Sequence, residues 1–101
     1  MEEPGWYLGN FGESCTKLCS GKGLTCDAKT MTDIDDDAKL TKAALDAGVT
    51  CEELLDDPNP ITPFYLANYN GRKNICEHLR NNAKSSCEAS SKIHQRFCFC
   101  Q

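Results

Sequence analysis

The sequence has few large aliphatic residues, no run of basic residues and no long apolar stretch. Hydrophobic residues, counted with cysteine, make up 40% of the 101 residues. The net charge is −4, from 11 basic and 15 acidic residues, so a nucleic acid is not expected as a partner. No stretch of about 18 apolar residues occurs, so membrane insertion is not expected either. N-glycosylation is not expected, because the chain has no N-x-[ST] sequon.

Sequence motifs of the common enzyme classes are also missing. The chain contains no H-E-x-x-H zinc motif, no glycine-rich phosphate loop and no G-x-S-x-G nucleophile elbow. His78 and His94 are the only histidines. A Cys–His nucleophile is not expected, because a cysteine in a disulfide forms no thiolate. The redox motif C-x-x-C is absent, and for the C-x-C pair Cys98 and Cys100 a structural role is favoured over a redox role. We expect no catalytic residue and no cofactor.

The acidic residues Asp33, Asp35 and Asp37 begin like the calcium loop of an EF-hand. Such a loop needs glycine at its sixth position and glutamate at its twelfth, where this chain has Ala38 and Ala44. Acidic residues also stabilise the first turn of a helix, because they face the positive end of its dipole. The sequence therefore predicts a helix N-terminus here and no metal site.

Eight cysteines are the dominant feature of the sequence. An even number fits complete pairing, and crosslinks compensate for a thin core in a domain of this size. A reduced metal-binding protein is the alternative, but the paired C-x2-C spacing of such proteins is absent. We expect structural disulfides throughout and an oxidising compartment, hence a secreted protein or the extracellular face of the cell surface. The cysteines are Cys15, Cys19, Cys26, Cys51, Cys76, Cys87, Cys98 and Cys100.

The first residues, Met1-Glu2-Glu3-Pro4, lack the basic and apolar regions of a signal peptide. Since the cysteines nevertheless require an oxidising compartment, we expect Met1 to be an added residue. The natural protein would then carry a leader upstream, or larger neighbouring domains from which this domain is excised. Residues 1–101 are expected to form one disulfide-stabilised domain.

Both ends of the chain carry signals for regular structure. Residues 6–8, with the sequence WYL between glycines, predict a short strand. Ser14 is a suitable N-cap for a helix that runs to Ser20 and ends at Gly21. Residues 93–100 predict a strand that places its phenylalanines on one face and its cysteines on the other.

The middle of the chain predicts further helices. Residues 32–47 begin with an N-capping signal and an acidic first turn, and their apolar residues recur at helical spacing. Residues 50–57 begin with a capping box and predict a short third helix. Residues 74–83 predict a fourth helix, capped by the asparagine at its start.

The cysteines near the two ends match each other in spacing. Cys15 and Cys19 lie on one face of the predicted helix, and Cys98 and Cys100 lie on one face of the predicted strand. The first pair spans about 6 Å and the second about 6.6 Å, so the pairs can be bridged side by side. The same geometry occurs in cystine-stabilised αβ peptides such as defensins. We therefore expect Cys15 and Cys19 to pair with Cys98 and Cys100.

The other four cysteines allow three pairings. The pairing we favour is Cys26–Cys51 with Cys76–Cys87, because each bridge would close the shortest loop. The two other pairings stay open.

The N-terminal block of residues 6–27 contains W-Y-L-G, then G-E-S-C-T, Cys19 and G-L-T-C-D, and residues 96–100 read R-F-C-F-C. These blocks resemble a cysteine-rich extracellular module of secreted and cell-surface proteins of algae and other protists. They cover about a third of the chain. The resemblance implies an ectodomain, often beside carbohydrate-active or adhesive domains, and implies no particular activity.

Residues 58–72 combine three prolines with aromatic and amide side chains, and so many prolines predict a loop. Aromatic and amide groups on a rigid loop can stack on sugar rings or hold a peptide. The alternative is that the aromatic rings fold back onto the core, which is also the interpretation we favour for Trp6. The binding residues expected in this loop are Tyr65, Tyr69, Asn70 and Arg72.

The predicted fold is a small disulfide-rich α+β domain with three to four short helices and a minor strand pair formed by the N- and C-terminal segments. The predicted function is non-catalytic recognition or adhesion outside the cell, with a carbohydrate or a protein as the partner. A secreted inhibitor or effector that acts through residues 58–72 is the alternative, and an enzyme fragment is a third hypothesis. The sequence does not separate the first two.

Overall fold

The structure, a computed structural model, describes residues 2–80 and 82–101. Met1, which we expect to be an added residue, lies outside the described residues. The elements in chain order are β1 (Gly5–Leu8), α1 (Cys15–Gly21), α2 (Ala28–Thr32), α3 (Asp37–Asp46), β2 (Glu53–Asp57), β3 (Phe64–Tyr69), β4 (Arg72–Leu79) and β5 (Gln95–Cys100). The predicted fold class is wrong, because more of the chain lies in strands than in helices and all five strands form one mixed sheet.

The strand order in the sheet is β1-β5-β3-β4-β2. The N- and C-terminal segments do pair, since β1 runs antiparallel to β5 from Gly5 opposite Cys100 to Leu8 opposite Phe97. This pair is one side of the sheet and not a separate unit. β5 also pairs with β3, β3 pairs with β4, and β2 lies parallel to β4 at the far edge.

The N-terminal strand and helix and the C-terminal strand are confirmed. The side chain of Ser14 accepts a hydrogen bond from the backbone N–H of Lys17 at 3.1 Å and caps α1 as expected. The helix predicted for residues 32–47 forms as α3, but it begins only at Asp37, so the predicted start is wrong. Asp27 caps α2 and Asp36 caps α3, because aspartate stabilises a helix start better than a helix interior.

The helices predicted for residues 50–57 and 74–83 are also wrong, because these segments contain the parallel strands β2 and β4. Leu54 lies opposite Cys76 in this pair, and the bridge between Cys51 and Cys76 holds the start of β2 against β4. A capping box is a local preference, and pairing with a neighbouring strand outweighs it here.

The loop predicted for residues 58–72 is wrong in its second half. The prolines end at Pro63, and β3 begins at the next residue. Asn70 and Gly71 then adopt φ angles of 51° and 80°, the conformation of a tight two-residue hairpin turn, and lead directly into β4.

The disulfides between α1 and β5 form as expected, joining Cys15 to Cys98 and Cys19 to Cys100. The other favoured pairing, Cys26–Cys51 with Cys76–Cys87, is wrong. The structure instead joins Cys51 to Cys76 and Cys26 to Cys87, with Cα–Cα distances of 5.7 and 6.1 Å. The parallel pairing of β2 and β4, which is not local in sequence, brings the first of these pairs together.

The core has a helical layer on one face of the sheet. Leu40, Ala43 and Ala44 of α3 pack against Phe97 and Cys76. On β5, successive side chains alternate between the faces, so Cys98 and Cys100 point to the opposite face and meet α1. A third cluster of Ile61, Phe64, Leu66 and Ile75 lies on this second face, over β3 and β4.

Arg96 of β5 is fully buried, and none of the described residues provides a carboxylate partner for it. Its guanidinium donates to five oxygens, and burial lowers its pKa to about 10. The acceptors are the backbone oxygens of Pro60, Ile61, Ser86 and Ala89 and the side-chain oxygen of Ser85. A buried charge is tolerated only where its hydrogen bonds are satisfied, so this residue ties two separate loops to β5.

We predict that mass spectrometry of an unreduced proteolytic digest will recover Cys51 linked to Cys76 and Cys26 linked to Cys87. The reason is that the parallel pair of β2 and β4 determines which cysteines meet. Loss of the bridge by Cys51→Ala with Cys76→Ala should lower the free energy of unfolding by about 3 to 4 kcal/mol in the chain-entropy model. A reduced digest is the control, and a peptide that links Cys26 to Cys51 would contradict this assignment.

We also predict that Arg96→Leu lowers the free energy of unfolding by about 3 to 5 kcal/mol in denaturant titrations. The substitution leaves buried carbonyl oxygens without a donor. The matched control is Arg80→Leu, because Arg80 is exposed and pairs with Asp56 at 3.5 Å. That change should cost less than about 1 kcal/mol. Equal effects of the two substitutions would show that the buried network does not stabilise the fold.

Candidate functional site

The four predicted binding residues do not share one surface. Tyr65 faces α3 and packs on Phe97, with ring centroids 6.2 Å apart, so it belongs to the core of that face. Tyr69, Asn70 and Arg72 lie at the exposed end of the β3–β4 hairpin. Tyr69 is 46% exposed, so its ring is accessible to a ligand. Tyr69 and Arg72 are the two that line a concave surface.

We call this concave surface the hairpin depression. It lies over β2, β4 and β3 on the side of the third core cluster, away from α3, and has a volume of about 270 Å³. Its charged and polar lining comes from Asp57, Arg72, Glu77 and His94, and its apolar lining comes from Leu55, Phe64, Leu66, Tyr69, Ile75 and Ile93.

Strand alternation explains which side chains reach the depression. On β4, Ile75 and Glu77 are two residues apart and point to the same face. Leu55 lies opposite Glu77 on β2, and Asp57 follows on the same face. Phe64 lies opposite Glu77 on β3. The register of three strands therefore gathers an apolar floor and two carboxyl groups at one place.

The carboxyl group of Glu77 is half-buried in this floor. Burial raises its pKa to about 7, and the neighbouring carboxylate of Asp57 acts in the same direction. The Arg72 guanidinium partly opposes the rise, although it also pairs with Glu53, with an Nε–Oε1 distance of 3.1 Å. Glu77 can therefore donate or accept a hydrogen bond near neutral pH, depending on its protonation.

His94 closes the other side of the depression. Its ring packs edge-on against Phe64, with centroids 4.4 Å apart, and its Nδ1 lies 2.6 Å from the side-chain oxygen of Ser91. Burial lowers the pKa of His94, which favours the neutral ring. The neighbouring residue Ile93 is 60% exposed and adds an apolar contact surface at the rim.

The sequence prediction missed Asp57, Glu77, Ile93 and His94, which come from three different segments. A strand assignment for residues 72–79 would have placed Glu77 beside Ile75, but nothing local points to Asp57 or His94. Among the described residues, no group of three or more possible metal ligands occurs. The arrangement is an apolar floor with one exposed aromatic ring, carboxyl groups and a guanidinium at its border.

A second concave surface, which we call the edge groove, lies between β1 and α3. It has a volume of about 590 Å³. Trp6 lies here and packs edge-on against Phe99, with centroids 5.3 Å apart. Trp6 also contacts the core clusters, so it contributes to the core and to the groove at once. Within the described part of the chain, no helix is long and apolar enough to cross a membrane.

We predict that replacing Glu77 by Gln will change how stability depends on pH. A carboxyl group whose pKa is raised in the folded state contributes stability at low pH, which is lost as the pH rises from about 4.5 to about 7. The difference in unfolding free energy, variant minus unsubstituted protein, should therefore rise across this window and level off above it. The lowered pKa of His94 affects both proteins and cancels in the difference.

The control for this experiment is Glu2→Gln, at an exposed position outside the depression. Chemical denaturation at several pH values provides the measurement. A Glu77→Gln difference that is flat between pH 4.5 and pH 8 would contradict the raised pKa.

Residues 5–100 match the family model described as Glycosyltransferase family 18. No curated protein matches the chain significantly. The family match does not test the resemblance to the extracellular modules of algae and other protists. It spans nearly the whole described domain, including all five strands and all eight cysteines. The chain belongs to glycosyltransferase family 18.

Proposed function

We propose that this domain is a non-catalytic recognition module of an extracytoplasmic glycosyltransferase-family protein, secreted or at the cell surface, and that it binds carbohydrate in the hairpin depression. The observation that carries the proposal is the half-exposed ring of Tyr69 beside the Arg72 and Glu77 side chains. Sugar rings present one apolar face and a border of hydroxyl groups. An aromatic ring with charged hydrogen-bonding groups around it matches both parts.

The family name supports a sugar as the ligand, because proteins that transfer glycosyl groups must handle saccharides. The charges in the depression narrow the class of sugar that can bind. Asp57, and Glu77 in its ionised form, would repel a carboxylated or sulfated sugar, whereas both carboxyl groups can form hydrogen bonds with neutral hydroxyl groups. We therefore expect neutral oligosaccharides as ligands, with Arg72 donating to a ring or hydroxyl oxygen.

The non-catalytic part of the proposal follows from how the reactive side chains are used. All eight cysteines are in disulfides and offer no thiolate. Both ring nitrogens of His78 have partners, Asp37 and the backbone oxygen of Leu79, each at 2.9 Å. His94 has its Nδ1 against Ser91. In the depression, the Asp57 and Glu77 carboxyl groups and the Nε2 of His94 remain candidates for acid–base chemistry, and the test below includes Glu77.

The alternative, an inhibitor that inserts residues 58–72 into a partner's cleft, is less well supported. An inserting loop must project from the surface, but Ile61, Phe64 and Leu66 in this segment are buried in the third core cluster. The exposed residues are 58–60 and the hairpin end 67–72, and the buried residues 61–64 between them hold the segment against the sheet.

We predict that Tyr69→Ala and Arg72→Ala each weaken binding of a neutral oligosaccharide by about 1 to 3 kcal/mol, the cost of losing an anchor residue. A glycan array identifies the oligosaccharide, and calorimetric titration measures its affinity for each variant. Tyr69→Phe should retain most of the affinity, because stacking needs the ring and not the hydroxyl group.

Matched controls exist for both positions. Phe11 is an aromatic residue with 59% exposure that does not line the depression, and Arg80 pairs with an aspartate of β2 as Arg72 pairs with a glutamate. Phe11→Ala and Arg80→Ala should leave the affinity unchanged. Equal losses in control and test variants would contradict the assignment of the site. Hydrolysis of the bound oligosaccharide that disappears in Glu77→Gln would contradict the non-catalytic role.

A further inference from the structure

Strand β1 forms one edge of the sheet, and among the described residues no strand pairs with its outer side. It has the sequence GWYL, without a charged residue. Natural sheets usually protect such edges with charges, bulges or a covering segment. An apolar edge that is left open is therefore a candidate surface for pairing with another chain.

The hydrogen bonds of the neighbouring strand show which backbone groups of β1 point outwards. Phe99 accepts from Asp27 N–H at 2.9 Å and Phe97 donates to the backbone oxygen of Pro63 at 2.9 Å, so both point their backbone groups away from β1. Residues opposite each other in an antiparallel pair are either both bonded to one another or both turned away. Trp6 and Leu8, their partners, therefore direct their N–H and C=O groups to the open edge.

The hydrogen bond from Gly9 N–H to the backbone oxygen of Arg96, at 2.8 Å, independently shows which residues of β1 face outwards. Gly9 is bonded to β5, so Leu8 is not, and the alternation continues to Trp6. The outer edge thus carries two donors and two acceptors from residues that are two apart. An added strand forms its hydrogen bonds with every second residue of its neighbour, which is the spacing of Trp6 and Leu8.

The edge groove runs beside this edge, and α3 forms its other wall. Lys39, Lys42 and Asp46 lie at helical spacing on one stripe of α3, and they line the groove without packing in the core. Trp6 and Phe99 lie at its base. The groove therefore borders the open edge of β1 on the face of the sheet that carries α3.

We propose that the edge groove binds an extended segment of a protein partner, which adds to the open side of β1 as a sixth strand. Backbone groups of Trp6 and Leu8 supply the hydrogen bonds, and apolar side chains on one face of the segment pack on Trp6 and Phe99. Glu3 lines the groove and forms no ion pair among the described residues. The segment therefore carries a basic residue that meets Glu3.

A second copy of the chain fits this edge less well. Lys39 and Lys42 line the groove but pair with Asp35 and Asp46, so Glu3 is the charge in the groove that a partner can neutralise. A second copy would offer its own residues 2–10, which contain two glutamates and no basic residue, and like charges at close range repel. A separate segment with a basic residue pairs with Glu3 without this conflict.

The test uses a synthetic heptapeptide, Lys-Val-Thr-Val-Thr-Val-Lys, as an extended segment with one apolar face and basic ends. In the free protein, hydrogen exchange followed by NMR should show fast exchange of the Trp6 and Leu8 amides and slow exchange of Tyr7. Millimolar peptide should protect both fast amides and shift signals of residues 3–8 and 39–46. A peptide that is N-methylated at the amides facing β1 should not bind, whereas one methylated at the alternate amides should bind normally.

Glu3→Ala should weaken peptide binding by up to about fivefold, as loss of an exposed ion pair does. The neighbouring exposed residue gives the matched control Glu2→Ala, which should have no effect. The proposal is overturned if the Trp6 and Leu8 amides are already protected in the free protein, or if the peptide shifts no β1 signal. It is also overturned if sedimentation shows that β1 pairs with a second copy, or if an oligosaccharide and not the peptide occupies the groove.

Discussion

Strand β5 is the constraint on which the rest of the structure depends. It pairs with β1 on one side and β3 on the other, and its two cysteines hold α1 to one face. Arg96 near its start adds a third kind of attachment, because a buried guanidinium must donate its hydrogen bonds to nearby acceptors. The acceptors lie in residues 60–61 and 85–89, which belong to two loops on the same face of the sheet as the hairpin depression. The position of Arg96 and the need to satisfy its hydrogen bonds therefore determine where these loops lie.

The parts of the fold that could be predicted are those whose signals are local. The helix cap at Ser14 and the spacings of the paired cysteines describe one turn of helix and one step of strand, and neither requires knowledge of distant residues. In the middle of the chain the local signals mislead. Residues 50–57 carry a helical capping box, yet they form β2 because β4 is available as a partner 20 or so residues later. One useful signal was present, since Asn70-Gly71 is the preferred sequence of a two-residue hairpin turn and predicts β3 and β4 on its two sides.

The same contrast applies to the candidate site. Tyr69 and Arg72 were found because aromatic and cationic residues beside a turn are visible in the sequence. Asp57, Glu77 and His94 were missed because they reach the depression only through the order of the strands. The favoured pairing of the four central cysteines failed for a related reason. Cys51 is 25 residues from Cys76 and equally far from Cys26, so loop length does not decide between these partners. The parallel pairing of β2 with β4 decides it, and no local signal predicts that pairing.

Covalent crosslinks also explain how so small a domain can carry surfaces that do not favour stability. An exposed tyrosine, a half-buried glutamate with a raised pKa and an open sheet edge each give up stability that a tightly sealed surface would have. Four disulfides, three of them spanning more than half of the chain, reduce the entropy of the unfolded state and offset these losses. The hairpin depression lies on one face, at the β2 side of the sheet, and the edge groove lies on the other face, at the β1 side. Because the sheet itself separates the two surfaces, a saccharide and a peptide segment can be held at the same time without contact between them.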